Sequence, residues 1–323
     1  MWTNDRNGID RRRFLQRSGA LAAAALAGGA LGAAPAGPVV AVVRDKTQKS
    51  IVGNTVDAEI VGRLVDKAVM TLAGKDDIAA AWGTYVRPKD RVAVKFNGLF
   101  RGASTHLELM RAVAGGIIKA GVEPANITFY DRHDKDVATV GLNVRREGAK
   151  VRIVGTERDY GKDMKIGAVT TQLSNVLLQA DVIVNVPFMK SHMRSGITGA
   201  LKNHYGSIPN ARQCHRDNCA VIAELNALGP IKDKTRISIC DALYGLYHGG
   251  PMLNPRYRWD THSVIASVDP VALDATLDSI IAAKRTEKGM SPRQTPTSHI
   301  ARAAGLGLGE ADLKKIQRLD IEV

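Results

Sequence analysis

Short apolar runs alternate along this chain with longer stretches whose apolar positions recur every three to four residues. Val39–Val43 is a continuous apolar run of the kind a buried strand shows. After it Val56, Ile60, Leu64, Val65, Ala68 and Val69 mark a helical stripe, with Asp57 at its start where an acid suits the helix dipole. Residues 91–97 form a strand candidate that ends in polar residues before Gly98, residues 107–120 read as a helix, and residues 127–131 as a strand. Strand, helix and strand with short links mark a parallel βαβ unit. A charged connection over residues 132–148 leads to strand candidates at 150–154 and 182–186, the second running into Pro187. Further strands are expected at 237–241 and 263–269, a helix at 270–284 with Pro270 in its first turn, and shorter helices at 297–304 and 310–317. The pattern predicts an α/β fold, a mostly parallel sheet flanked by helices in a single large domain. Ligands of such sheets collect beyond the carboxyl ends of the strands, which makes Lys95, Asn97, Lys190, His192 and Asp241 potential neighbours.

The amino terminus stands outside this alternation. Asp10-Arg11-Arg12-Arg13-Phe14-Leu15-Gln16 precedes a run rich in Ala, Leu and Gly, and Ala34-Pro35-Ala36 follows it. Basic start, weakly apolar middle and small residues at the end spell a twin-arginine export signal. The run is about as long as one bilayer crossing, so a retained anchor is the alternative, but Ala and Gly gain little in hydrocarbon. Cleavage after Ala36 would separate a signal at 1–36 from a domain at 37–323. The expectation is an exported protein, periplasmic or extracytoplasmic, handled by the twin-arginine translocase and without stable membrane insertion after cleavage.

Charge and cysteine content narrow the function. The formal charge is +13, and since residues 1–36 hold five Arg and two Asp, the remainder keeps +10. No aromatic-interleaved basic motif accompanies that charge, which argues against nucleic acid and for an anionic small molecule or envelope component. The three cysteines, Cys214, Cys219 and Cys240, are too few for a disulfide framework or a set of iron–sulfur clusters. Cys214 and Cys219 could pair in an oxidising compartment, leaving Cys240 as a small core residue; Cys214-His215-x-x-x-Cys219 could instead be half of a zinc site, but no second pair completes it.

The densest polar region runs from Asn185 to His215. Lys190 and Lys202 offer ammonium groups, Asn97 and Asn203 amides, and Thr198 a hydroxyl among glycines that let backbone approach a ligand. With Lys95 and Asp241 they form a candidate binding set for a phosphate, carboxylate or other anion. His192, His204 and His215 could hold a transition metal, with Asp241 or Asp269 completing the shell, or move protons; His192, His204 and Lys202 are the candidate catalytic residues. Asp269 before Pro270 has a structural reading as a helix cap, while Asp274 could face the pocket. His248-Gly249-Gly250-Pro251 reads as a turn, because no G-x-S-x-G elbow exists to supply an esterase nucleophile. Gly155 and Gly161-Lys162 are one residue too far apart for a P-loop, and there is no G-x-G-x-x-G or H-E-x-x-H.

The stretch NVPFMKSHMRSGITGALKNHYGSIP, with VKFN before it and SVDPVALD and GLG after it, resembles the bacterial and archaeal family catalogued as domain of unknown function 362. The resemblance implies an α/β fold with its signature around Lys190 to Asn203. Some relatives carry iron–sulfur modules or Cys-rich segments; this chain has neither, which argues against a bound cluster. The Lys/His pattern is also similar, more distantly, to the cofactor region of nickel-pincer lactate racemases, a likeness that would give Lys190 or Lys202 a cofactor and His204 or His215 a proton. Two functions follow as expectations: an exported enzyme with a Lys/His/Asp site for an anionic small molecule, metal- or cofactor-dependent in one version, or a non-catalytic periplasmic binding protein for an anionic solute.

Overall fold

A computed structural model describes residues 37–323; the expected export signal at 1–36 lies outside the described residues. In chain order the strands are β1 Val39–Arg44, β2 Ile51–Val52, β3 Thr55–Val56, β4 Val92–Phe96, β5 Ile127–Asp131, β6 Arg152–Gly155, β7 Tyr160–Ile166, β8 Val169–Ser174, β9 Val182–Val186, β10 Phe188–His192, β11 Gly196–Thr198, β12 Thr235–Leu246, β13 Arg258–Ser267 and β14 Gln317–Glu322. Ten of them make one sheet in the order β14-β1-β13-β12-β9-β4-β5-β6, with β10 beside β12 and β11 beside β10. From β12 to β6 every pairing is parallel, and β13 is antiparallel to both its neighbours. The sheet is therefore mostly parallel, as the alternating pattern predicts.

Two details of the topology position the site. From β4 the chain steps outward to β5 and β6, then returns to lay β9 on the other side of β4, so a crevice opens at the carboxyl ends of β4 and β9. Pro187 then interrupts the ladder, having no N–H to give, and β10 continues along the second half of β12 after β9 has paired with the first. This extension carries Lys190 and His192 past the end of the main sheet.

Side chains alternate between two cores. Val92, Val94 and Phe96 pack beneath the helices Ala58–Ala73 and Leu107–Lys119, whereas Ala93 faces the layer formed by Ile222–Ala227, Pro270–Glu287 and Ser298–Gly305. The period of two sends Lys95 to the second face. Asp57 caps the first helix by accepting from the Glu59 and Ile60 amides at 2.9 Å, and Gly74 ends it in the left-handed region. Asp269 caps Pro270–Glu287 through the Val271 and Ala272 amides at 2.8 and 2.9 Å, the structural role its spacing predicts.

The structure differs from expectation in three places. Residues 310–317 are not helical: a turn leads into β14, whose half-exposed, half-covered alternation on the sheet edge comes from pairing with β1. The charged connection holds a short helix, Asp134–Thr139. Residues 160–174 form a hairpin, β7 with β8, whose first strand is largely exposed and offers no apolar run to read. Among the described residues no helix is long and apolar enough to cross a membrane.

Candidate functional site

β4 delivers Lys95, and β5 delivers Asp131 at its last position. Lys95 Nζ lies 2.9 Å from Asp131 Oδ1, both side chains buried, and it also donates to the Phe96 carbonyl and to Asn203 Oδ1. The remaining acceptors of Asp131 are filled by the Gly98 amide at 2.7 Å and the Arg132 amide at 2.8 Å. Gly206 fits against this pair because it has no side chain: a Cβ there would sit 2.0 Å from Asp131 Oδ1 and 2.6 Å from Lys95 Nζ.

The short helix Ala200–Asn203 brings in Lys202 and Asn203. Its first amides are held from elsewhere in the chain, for Asp274 accepts from Ala200 N at 2.5 Å and Leu201 N at 3.1 Å. A Cβ on Gly199 would collide with the same carboxylate at 2.1 Å. Asp274 thus acts as a remote helix cap rather than facing the pocket, and burial pushes its pKa up to about 7 despite those amides. Asn203 donates to Lys95 O at 3.0 Å and Asn185 Oδ1 at 2.8 Å and accepts from Asn97 Nδ2 at 3.2 Å, so the two asparagines are bracing elements of the site wall.

Beyond these strand ends lies a cleft of about 230 Å³. Lys95, Lys190, Lys202, Arg132 and Arg212 line it against two carboxylates, Asp131 and Asp136. Lys190 Nζ donates to Asn97 Oδ1 at 2.9 Å and Ala103 O at 2.5 Å. Lys202 Nζ lies 3.1 Å from His215 Nε2 and 3.8 Å from the centre of the Tyr205 ring, a cation–π contact. Since His215 Nδ1 faces the Ala211 carbonyl at 2.8 Å, that nitrogen carries the proton and Nε2 accepts from the ammonium. Thr198 also lines the cleft, and its buried hydroxyl has no hydrogen-bond partner among the described residues.

Burial lowers the pKa of Lys190 to about 7, with Asp131 opposing and the charges of Lys202 and Lys95 adding to the fall. Burial likewise brings Lys202 down to about 8. Lys95 is lowered by burial too, against the pull of Asp131. His192 is pushed to about 2 by burial and by Lys202, and its Nδ1 accepts from the Arg194 and Ser195 amides at 3.1 and 3.3 Å. It is a neutral ring with its proton on Nε2, a donor rather than a base.

Of the residues read from sequence, the structure brings Lys95, Asn97, Lys190, His192, Thr198, Lys202, Asn203 and His215 to this cleft. It does not bring His204 or Asp241. His204 is two residues past Lys202 on a helical path, roughly 200° around the axis, and lines a small void with Asn185 and Asn226 instead. Asp241 points to the opposite face with Ile239 and Leu243, where it accepts from His106 N at 2.7 Å and Nδ1 at 2.8 Å. Burial works against the charged His106, but Asp241 outweighs it and raises the pKa. His192 and His215 stack with ring centroids 5.6 Å apart, but with His204 elsewhere the three do not form a metal shell. Among the described residues no group of three His, Cys, Asp or Glu is arranged to hold a metal ion. All three cysteines are free and buried. Sequence reasoning passed over Asp131, Arg132 and Arg212; for Asp131 the signal was there, a carboxylate closing the strand after Lys95's own.

A family model described as "Domain of unknown function (DUF362)" matches residues 92–277, more than half of the chain and all of the cleft's strand ends. The thylakoid-associated protein sll1697 of Synechocystis sp. is 25% identical over 256 residues, 72% of this chain and 73% of that protein. Among solved structures, a structural-genomics protein from Thermotoga maritima aligns with a TM-score of 0.41 at 9% identity over 73% of this chain. The lactate racemase apoprotein from Thermoanaerobacterium thermosaccharolyticum aligns with a TM-score of 0.40 at 10% identity over 74% of it. The chain spans 60% and 57% of the lengths of these two proteins.

Proposed function

The chain belongs to the DUF362 family, and from that footing we propose that the cleft binds a small anion and transfers a proton to or from it. The observation that carries this reading is the pair Lys190 and Lys202, buried amines whose hydrogen-bond partners are neutral rather than carboxylates. Their charge is left for a ligand to complete. Lys202, with Arg212 and the unpartnered Thr198 hydroxyl, grips the anion, and His192 donates through Nε2. Lys190 is the proton carrier: at about 7 its pKa lets it hold and release a proton at neutral pH, the condition for general acid–base work.

Calorimetric titration with sulfate tests the binding half. Wild-type protein should bind, and Lys202→Met should weaken binding about tenfold or more, the loss of one charge-assisted contact at 1.4 kcal/mol per decade; equal affinities would overturn the assignment. Solvent-deuterium incorporation into a panel of small carboxylates, followed by NMR, tests the catalytic half, and Lys190→Met should abolish it. Export belongs to the same reading. Replacing Arg11 and Arg12 together by Lys should hold the protein in the cytoplasm, and undiminished export of that variant would remove the twin-arginine assignment.

A further inference from the structure

The cleft opens onto an apolar rim. Nine large hydrophobic side chains are exposed among the described residues, and four of them, Leu99 at 41%, Met193 at 47%, Met252 at 53% and Leu253 at 37%, gather where the cleft meets solvent. Leu99 lines the cleft itself, as does Pro251, the residue before Met252. Met193 follows His192, and its amide donates to the Gly250 carbonyl at 3.1 Å, tying that turn to the segment bearing Met252. Leu253 packs on Gly102, beside Ala103 whose carbonyl holds Lys190. Scattered exposed apolar residues need no explanation, but a cluster drawn from three loops around one opening does. Two of the four are methionines, whose flexible thioethers suit a surface that must fit a chain of no fixed shape.

We infer that the ligand is an anionic amphiphile, with a phosphate or carboxylate head among Lys190, Lys202 and Arg212 and an aliphatic tail laid over Leu99, Met252 and Leu253. This rests on the anion-binding reading above and adds the tail to it. The charge balance fixes the head: five cationic side chains face two carboxylates, one of which is consumed by Lys95. The exposures set the tail's path, because among the described residues nothing covers these side chains fully.

Titration of the full chain with methyl phosphate, octyl phosphate below its micellar concentration, and octyl glucoside separates the two layers. Octyl phosphate should bind about thirtyfold more tightly than methyl phosphate, less than full burial of seven methylenes would give. Octyl glucoside should bind far more weakly than either. A Leu99→Ser/Met252→Ser/Leu253→Ser variant should lose the chain-length gain and keep the methyl phosphate affinity within twofold. Should the triple variant fail to fold, Met252→Ser alone decides, since the gain must still shrink. Equal affinity of the two phosphates overturns the tail while leaving the anion site intact, and so does octyl glucoside binding as tightly as octyl phosphate. No binding of either phosphate overturns the anion site and this inference together.

Discussion

Lys190 and Lys202 hold ammonium groups in a buried setting with neutral partners, and their protonation should govern the site. In the ligand-free protein their pKa values fall to about 7 and about 8. An anion needs both charged, so affinity should be greatest below pH 7 and fall as each proton is lost. Sulfate, whose charge is constant over this range, should bind about tenfold more weakly for each unit above pH 8 if one proton must be taken up, and more steeply where both are. A flat profile from pH 6 to 9 would show that neither lysine touches the anion. Gly206 gives a steric test of the same corner: Gly206→Ala puts a methyl where Asp131 and Lys95 meet, with no open space to move into. It should destabilise the fold by about 1–3 kcal/mol, the usual cost of overpacking, and weaken sulfate binding, measured by urea unfolding and calorimetry. At this scale the lysines and asparagines were legible, because polar residues that end apolar strands stand out. His204 was not, since its neighbours in sequence are site residues and only the turn of the backbone separates it from them; Asp241 fell on the wrong face by the same alternation that places Lys95 on the right one.

Elements extend this logic. The helix Ala200–Asn203 is four residues long, too short to stand by its own hydrogen bonds. Asp274, in the second turn of the helix Pro270–Glu287, supplies the acceptors its first amides lack, and both are buried. Asp274→Ala would orphan two buried N–H groups, at roughly 2–4 kcal/mol in all, and release Lys202 from its place. Asp274→Asn keeps one acceptor and should lose less on both counts. The measurement is the urea midpoint alongside sulfate affinity; an Asp274→Ala protein that binds sulfate normally would show that the short helix holds Lys202 without it. The main strands β1, β4, β5 and β9 could be read directly, since a strand buried on both faces is a plain run of Val, Ile, Ala and Phe. β10 could not: Phe188-Met189-Lys190-Ser191-His192 looks like a loop because it lines the cleft, yet it is buried throughout. The helix read at 310–317 is a turn that leads into β14, and β14 itself, a sheet-edge strand whose positions are partly or fully exposed, offers no apolar run to read.

For the molecule as a whole, these buried bases make stability depend on pH in a definite direction. A lysine whose pKa is lower in the fold than in the unfolded chain binds fewer protons when folded, so stability rises with pH from the folded value toward the ordinary one. For Lys190 and Lys202 that window starts near pH 7 and 8. Asp274, whose pKa is raised to about 7, is half titrated at that lower edge and offsets Lys190 there, but its opposition fades by about pH 8. At the upper edge the buried thiols Cys214 and Cys240 begin to oppose it, as burial holds them protonated while the unfolded chain ionises. Between about pH 7 and 8.5, the ordinary onset of thiol ionisation, the melting temperature should therefore climb. Saturating sulfate supplies the missing counter-charge, raises both lysine pKa values toward normal, and should lift the melting temperature most at pH 7 and least at pH 8.5, so that the climb flattens. Differential scanning calorimetry across that range, with and without sulfate, reads both effects. A melting temperature that falls from pH 7 to 8.5, or a sulfate effect that does not depend on pH, would mean that the cleft's ammonium groups already have their charge balanced within the protein.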